Sequence, residues 1–259
     1  MIEAHLAHDV DWDGWRQETR RLLALRADPV SVRWTIGSAQ PTPPEIEGTA
    51  DAIKVPRAFI DLSRVLVRHR DTSRFQFLHR LASRLAAAPK LLEIASDDDV
   101  QRAEAWTRTI RRDRHKMTAF LRFRAVTEDD AERFVAWFEP SHRIEEDVAE
   151  FFVDRFASMR FTIVTPRCSI DWTDGNLTFG PGGSRCDIPE SDGLSEAWNT
   201  YYRSTLNPAR VRVAAMMKEM PRKYWANLPE TEQIPTPAAF ARSSIVTLMI
   251  PCLMNRSVA

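Results

Sequence analysis

Six cations crowd into the stretch RRDRHKMTAFLRFR, where Arg111, Arg112, Arg114, Lys116, Arg122 and Arg124 accompany a single acid, Asp113. Guanidinium and ammonium groups this close repel one another and are stabilised by a bound anion. The chemistry they suit is the gripping of phosphates, with Phe120 among them as a surface on which a base can stack. A second basic island lies at residues 200–223, where Arg203, Arg210, Arg212, Lys218, Arg222 and Lys223 outnumber Glu219. Tyr202, Tyr224 and Trp225 interleave rings with these charges. Between the islands, residues 125–190 hold fourteen acids and six bases, so the neutral total of 36 basic and 36 acidic residues hides a segregated pattern. The local field, not the sum, steers a polyanion. The expected phosphate contacts are therefore Arg111, Arg112, Arg114, Lys116, Arg122, Arg124, Arg203, Arg210, Arg212 and Lys223, with Tyr202, Tyr224 and Trp225 as stacking residues.

Acid–base chemistry has weaker candidates. His142 follows Glu139 in WFEPSHR, close enough in sequence to pair an imidazole with a carboxylate, and His115 and Asp171 are the other groups that could move a proton. His69 and His79 lie ten residues apart with no acid three or four positions on, which suits packing or surface roles. No HExxH, GxSxG, P-loop or GxGxxG motif occurs. The three cysteines, Cys168, Cys186 and Cys252, form no CxxC pair, which gives no metal framework and suits a reducing compartment. The isolated chain is expected to bind rather than catalyse, with no cofactor or metal of its own; the alternatives are an enzyme that uses these acid–base groups on a damaged nucleic acid, and a pure protein-interaction subunit whose basic islands meet an acidic partner. The N-terminus lacks a basic-then-apolar leader, and SSIVTLMIPCLM is shorter than the ~20 residues of a membrane span and broken by Pro251. A cytoplasmic protein with no membrane partner is expected.

The elements that must position these residues follow from periodicity. In DWDGWRQETRRLLALRADP, Trp12, Trp15, Thr19 and Leu22 recur at helical spacing, with Asp11 as cap and Pro29 as stop. A short strand is expected at VSVRWTI and a polar connector at 38–51. Pro56 opens a second helix, Phe75, Leu78, Leu81 and Leu85 stripe a third, and another begins at the acids from Asp97. The pattern then changes to period two. Met117, Ala119, Leu121, Phe123 and Ala125 read as the core side of a strand whose other side carries Arg122 and Arg124. RFVAWFEP is a second strand, IEEDVAEFFVDRFASM a helix, and FTIVTPRCSIDW and NLTFGP two strands joined at Asp174-Gly175, a favoured hairpin pair. The expected class is α+β, with a helical N-terminal half and an antiparallel sheet of about four strands covered by helices on one side. The expected divisions are a mainly helical part at 1–110, the sheet and its helices at 111–233, and a tail at 234–259.

Several long stretches carry a family resemblance: HKMTAFLRFR, FVAWFEPSHRI, FFVDRFASMRFTIVTP, LTFGPGG and WNTYYRSTLNPARVRVAAMMKEMPRKYWANLPE. Together with VPRAFIDLSRVLVRHRDTSRFQFLHRL and WRQETRRLLA they span roughly residues 12–233. They resemble a bacterial family described as DNA-metabolism or DNA-repair proteins. That family is similar to the uncharacterised domain fused N-terminally to UdgX-type uracil-DNA glycosylases, or encoded beside a putative DNA-repair radical-SAM protein. The resemblance implies DNA as a ligand and one of those enzymes as a partner. An iron–sulfur cluster and S-adenosylmethionine would then belong to the partner and not to this chain. Thr118 stands where the family's usual HKMHAF has a histidine, which argues against a paired-histidine site there. No glycosylase domain follows Pro235, so base excision is expected to come from elsewhere.

Overall fold

Helices dominate the first half of the computed structural model and strands the second, across the residues it describes: 1–37, 54–128, 131–187, 217 and 220–228. The class is α+β, as periodicity implies. The chain divides into two compact units, Met1–His115 with Pro140–Glu150, and Lys116–Glu139 with Phe151–Ala259.

In the first unit, strand β1 (Ile2–Leu6) pairs in parallel with β2 (Val32–Ile36), setting Ala4 opposite Trp34. Helix α1 (Trp12–Ala24) makes the crossover that a parallel pair requires. Asp11 caps it as expected, accepting from the Gly14 N–H at 2.8 Å and the Ala7 N–H at 2.9 Å. A β-carbon at Gly14 would meet that carboxylate, which would have to shift to make room. Helix α2 (Arg57–Leu66) starts after Pro56, and α3 (Arg74–Ala87) buries the stripe of Phe75, Leu78, Leu81 and Leu85. His79 is fully buried on α3, with no hydrogen-bond partner for either ring nitrogen among the described residues, in edge contact with Trp34.

Helix α4 (Asp98–Phe120) is longer than the sequence pattern suggests. The expected strand beginning near Met117 is instead the last helical turn, and β3 (Arg124–Glu128) starts only after three residues of coil. The alternation of Met117, Ala119 and Leu121 is compatible with a strand, but helical spacing from Ala103, Trp106, Ile110 and Asp113 puts Met117 on a buried stripe. Ala119 is exposed, as a helix and not a strand core would have it.

In the second unit, β3, β4 (Ala131–Trp137), β5 (Phe161–Val164), β6 (Cys168–Thr173) and β7 (Asn176–Pro181) form one sheet in sequential order. It has five strands rather than about four, because FTIVTPRCSIDW breaks around Pro166, where proline offers no N–H to a ladder. It is mixed rather than purely antiparallel. The return through helix α5 (Glu145–Arg155) makes β4 and β5 parallel, with Val135 opposite Thr162. The β6–β7 hairpin turns at Asp174 and Gly175, both at positive φ, as read from the sequence. One sheet face buries Phe161, Ile163, Ala136 and Ile170. Phe123, Phe152 and Phe156 gather with Phe161 in edge and tilted ring contacts. Among the described residues no helix is long and apolar enough to cross a membrane.

Candidate functional site

Helix α4 has two opposite faces, and its cations sort between them. At 100° per residue, Arg108, Arg111, Arg112 and His115 fall on the side opposite Trp106, Ile110, Asp113 and Met117. The first four are exposed and the second four buried. Among the described residues neither Arg111 nor Arg112 has a hydrogen-bond or ion-pair partner. Among them Arg108 meets Glu104 alone, one turn back at 3.5 Å. Like charges at these spacings each cost a helix a few tenths of a kcal/mol, so an outer anion would stabilise the stripe.

The inner face fixes the helix. Asp97 caps it, accepting from the N–H groups of Asp99 at 3.0 Å and Val100 at 3.3 Å. Arg84 grips Asp97 through both terminal nitrogens, at 2.9 and 2.5 Å, and reaches Asp99 at 2.7 Å. Those hydrogen bonds hold the Asp97 carboxyl below the usual carboxylate range. Deeper in, the Asp113 carboxylate is 4 % exposed and accepts from the backbone N–H groups of Ser141 at 2.7 Å and His142 at 2.8 Å. The lone acid of the basic stretch thus clamps the backbone at Ser141 and His142.

That clamp brings His142 beside His69. Their ring centroids are 4.7 Å apart, and His69 also stacks flat on Trp106, at 3.9 Å and 7°. The Nδ1 atom of His69 accepts from the Asp71 N–H and that of His142 from the Arg70 N–H, each at 3.2 Å. Burial, then the proximity of His142, pushes the His69 pKa down to about 4, so its imidazole is neutral at pH 7. With Nδ1 occupied by a backbone donor, the proton of a neutral ring sits on Nε2. Such a ring is a hydrogen-bond donor rather than a general base. Arg143 braces the pair, donating to Asp9 at 2.5 Å and to the His69 carbonyl at 3.0 Å.

The other sequence-based candidates are dispersed. Arg114 is committed to Asp147 at 2.9 Å, beside Arg68. Lys116 is half-buried near the end of α4. Arg122 does not line the outer face of a strand; its guanidinium donates to the Ala119 and Leu121 carbonyls at 3.0 and 3.1 Å, closing the C-terminus of α4. Arg124 is half-buried in β3, opposite Val135. Glu139 is exposed beyond β4, and His115 is exposed on α4. Asp171 accepts from Thr162 at 2.8 Å, Thr173 at 2.9 Å and Arg133, which makes it part of a cross-strand network. Tyr224 is 3 % exposed and stacks on Phe138 at 5.0 Å, so its ring is packed inside rather than open to a base. Trp225 is half-buried, its indole N–H on the Met220 carbonyl at 2.9 Å. Tyr202, Arg203, Arg210 and Arg212, and the side chain of Lys223, lie outside the described residues. Among the described residues no cluster of three or more His, Cys, Asp or Glu could hold a metal.

The histidine pair is the feature that sequence reasoning missed. His69 and His142 are 73 residues apart, and no motif links them. A family model described as a domain of unknown function, DUF4130, matches residues 69–230, which spans α3, α4, α5 and the five-stranded sheet. No curated protein and no solved structure matches.

Proposed function

From the premise that the chain belongs to the DUF4130 family, we propose that it is a cytoplasmic nucleic-acid-binding protein of DNA repair or DNA metabolism. It works as an accessory to a partner enzyme, a radical-SAM protein or a uracil-DNA glycosylase, which supplies the chemistry and any iron–sulfur cluster or S-adenosylmethionine. The observation that carries the reading is the outer face of α4. Arg111 and Arg112 stand exposed there with no ion-pair partner among the described residues, while Arg80, Arg84, Arg114, Arg133 and Arg143 each meet a carboxylate. Unpaired guanidinium groups on a rigid helix suit phosphate contacts, which are sequence-independent and salt-sensitive.

The reading is tested by fluorescence anisotropy with labelled single-stranded and duplex DNA at low salt. Arg111→Glu with Arg112→Glu is expected to weaken binding by about tenfold for each charge reversed, with the unfolding midpoint unchanged because both side chains are exposed. This pair is a cleaner probe than Arg122 with Arg124, since Arg122 holds helix carbonyls. Wild-type affinity in the double variant would overturn the assignment.

A further inference from the structure

A cleft of about 400 Å³ opens in the first unit, away from the outer face of α4, and its walls combine three chemistries. The first is aromatic. Trp12, at the start of α1, shows part of its indole to the cleft, and a hydrogen bond from its Nε1 to the Ser63 hydroxyl at 2.9 Å holds the ring in place. The second is cationic. Arg64 lies in the last turn of α2 and Arg68 two residues beyond its end, and His8 joins them on the rim. Arg64 is exposed, has no carboxylate partner among the described residues and lies 4.3 Å over the Trp12 ring. Arg68 is fixed by Asp147 at 3.3 Å and by the Arg64 carbonyl. The third is anionic: Asp13, exposed in the first turn of α1, and Glu146, in the first turn of α5, face the same space. Val10 and the buried Val67 supply an apolar floor.

We propose that this cleft binds a nucleotide. A phosphate uses the forked donors of Arg64 and Arg68, with His8 as a further donor. A planar base stacks on the Trp12–Arg64 pair, since both the indole and the guanidinium plane accept π-stacking. The carboxylate of Asp13 accepts from a sugar hydroxyl or an exocyclic amine. Inorganic phosphate would leave the indole and Asp13 unused, and an uncharged nucleoside would leave the arginines unused. The volume lies within the range of small-ligand sites. His8, Trp12, Asp13, Arg64 and Arg68 all lie outside the segment matched by the family model, so the site is a feature of this chain's N-terminal part.

The test is isothermal titration of the full chain, at low salt, with the four nucleoside monophosphates and with adenosine and inorganic phosphate as separate arms. At least one monophosphate is expected to bind, with adenosine and inorganic phosphate each about tenfold weaker or worse. Arg64→Ala, at an exposed position, is expected to weaken the nucleotide about tenfold, and Trp12→Leu to reduce the advantage over inorganic phosphate. Arg111→Glu with Arg112→Glu is expected to leave nucleotide binding intact, which separates this site from the α4 face. Absence of heat with every nucleotide, affinity for inorganic phosphate equal to that for nucleotide, or wild-type binding by Arg64→Ala would each overturn the assignment.

Discussion

Arg74→Met is expected to destabilise the protein by about 3–5 kcal/mol, since each buried acceptor left without its donor costs about 1–3 kcal/mol. Arg74 is 1 % exposed, and its guanidinium ties three chain segments together. The Nε atom donates to the Val67 carbonyl at 2.8 Å and one terminal nitrogen to the Asp71 carbonyl at 3.2 Å. The other reaches the Asp9 carbonyl. Burial, together with the nearby Arg143 cation, lowers its pKa to about 10, which leaves the group charged at neutral pH. Methionine of similar length keeps the apolar contact with Phe75 but leaves three carbonyls without a donor. Urea denaturation should register the loss as a lower midpoint at a similar slope. A change under about 1 kcal/mol would mean that these carbonyls find other donors.

Stability is also expected to fall as the pH drops from 6.5 towards 4, before most carboxylates titrate. Burial pushes the pKa values of His69 and His79 down to about 4 from the ordinary 6.5, although the Ala27 backbone partly offsets the effect at His79. That backbone contact does not amount to a well-formed hydrogen bond, since both His79 nitrogens lack a partner among the described residues. Because the folded-state values are depressed, the unfolded chain binds more protons across this window. The stabilisation is complete above pH 6.5 and is lost on acidification, by up to about 3 kcal/mol for each ring. Below that range, Asp71, held low by Ser73, and Asp97, held low by Arg84, add a separate loss. The dissecting variant is His79→Leu, which removes two buried, unpaired nitrogens. It should stabilise the protein by about 1 kcal/mol at pH 7 and remove roughly half of the slope between pH 6.5 and 4. Thermal midpoints measured across that interval decide the matter, and an unaltered slope in the variant would show that His79 is not responsible.

Local structure was legible where a signal is carried by adjacent residues. Asp11 announces its helix, Pro56 opens the next, and Asp174-Gly175 dictates a hairpin because both positions take positive φ. Illegible features depend on distant partners. Strand β1 has five residues and no hairpin turn, since its partner β2 returns in parallel through α1. The end of α4 mimics a strand because Met117, Leu121 and Arg122 satisfy both periods, and burial of Met117 against the helical stripe decides between them. Charge was legible as a total but not as an orientation. The same basic run supplies an outward pair at Arg111 and Arg112, a carboxylate-bound Arg114 and a helix-closing Arg122. The His69–His142 contact and the Trp12 cleft each join residues from distant parts of the sequence, so only the folded chain reveals them.

The salt dependence of DNA binding tests the role of α4 most directly. Each phosphate neutralised by an arginine contributes about 0.9 to the slope of log K against log salt on duplex DNA. Comparing the wild type with Arg111→Ala plus Arg112→Ala should show the slope fall by about 2, with similar losses on duplexes of unrelated sequence. A wild-type chain that does not bind DNA at low salt, or a double variant that keeps the full slope, would contradict the reading of this helix as a phosphate-gripping surface.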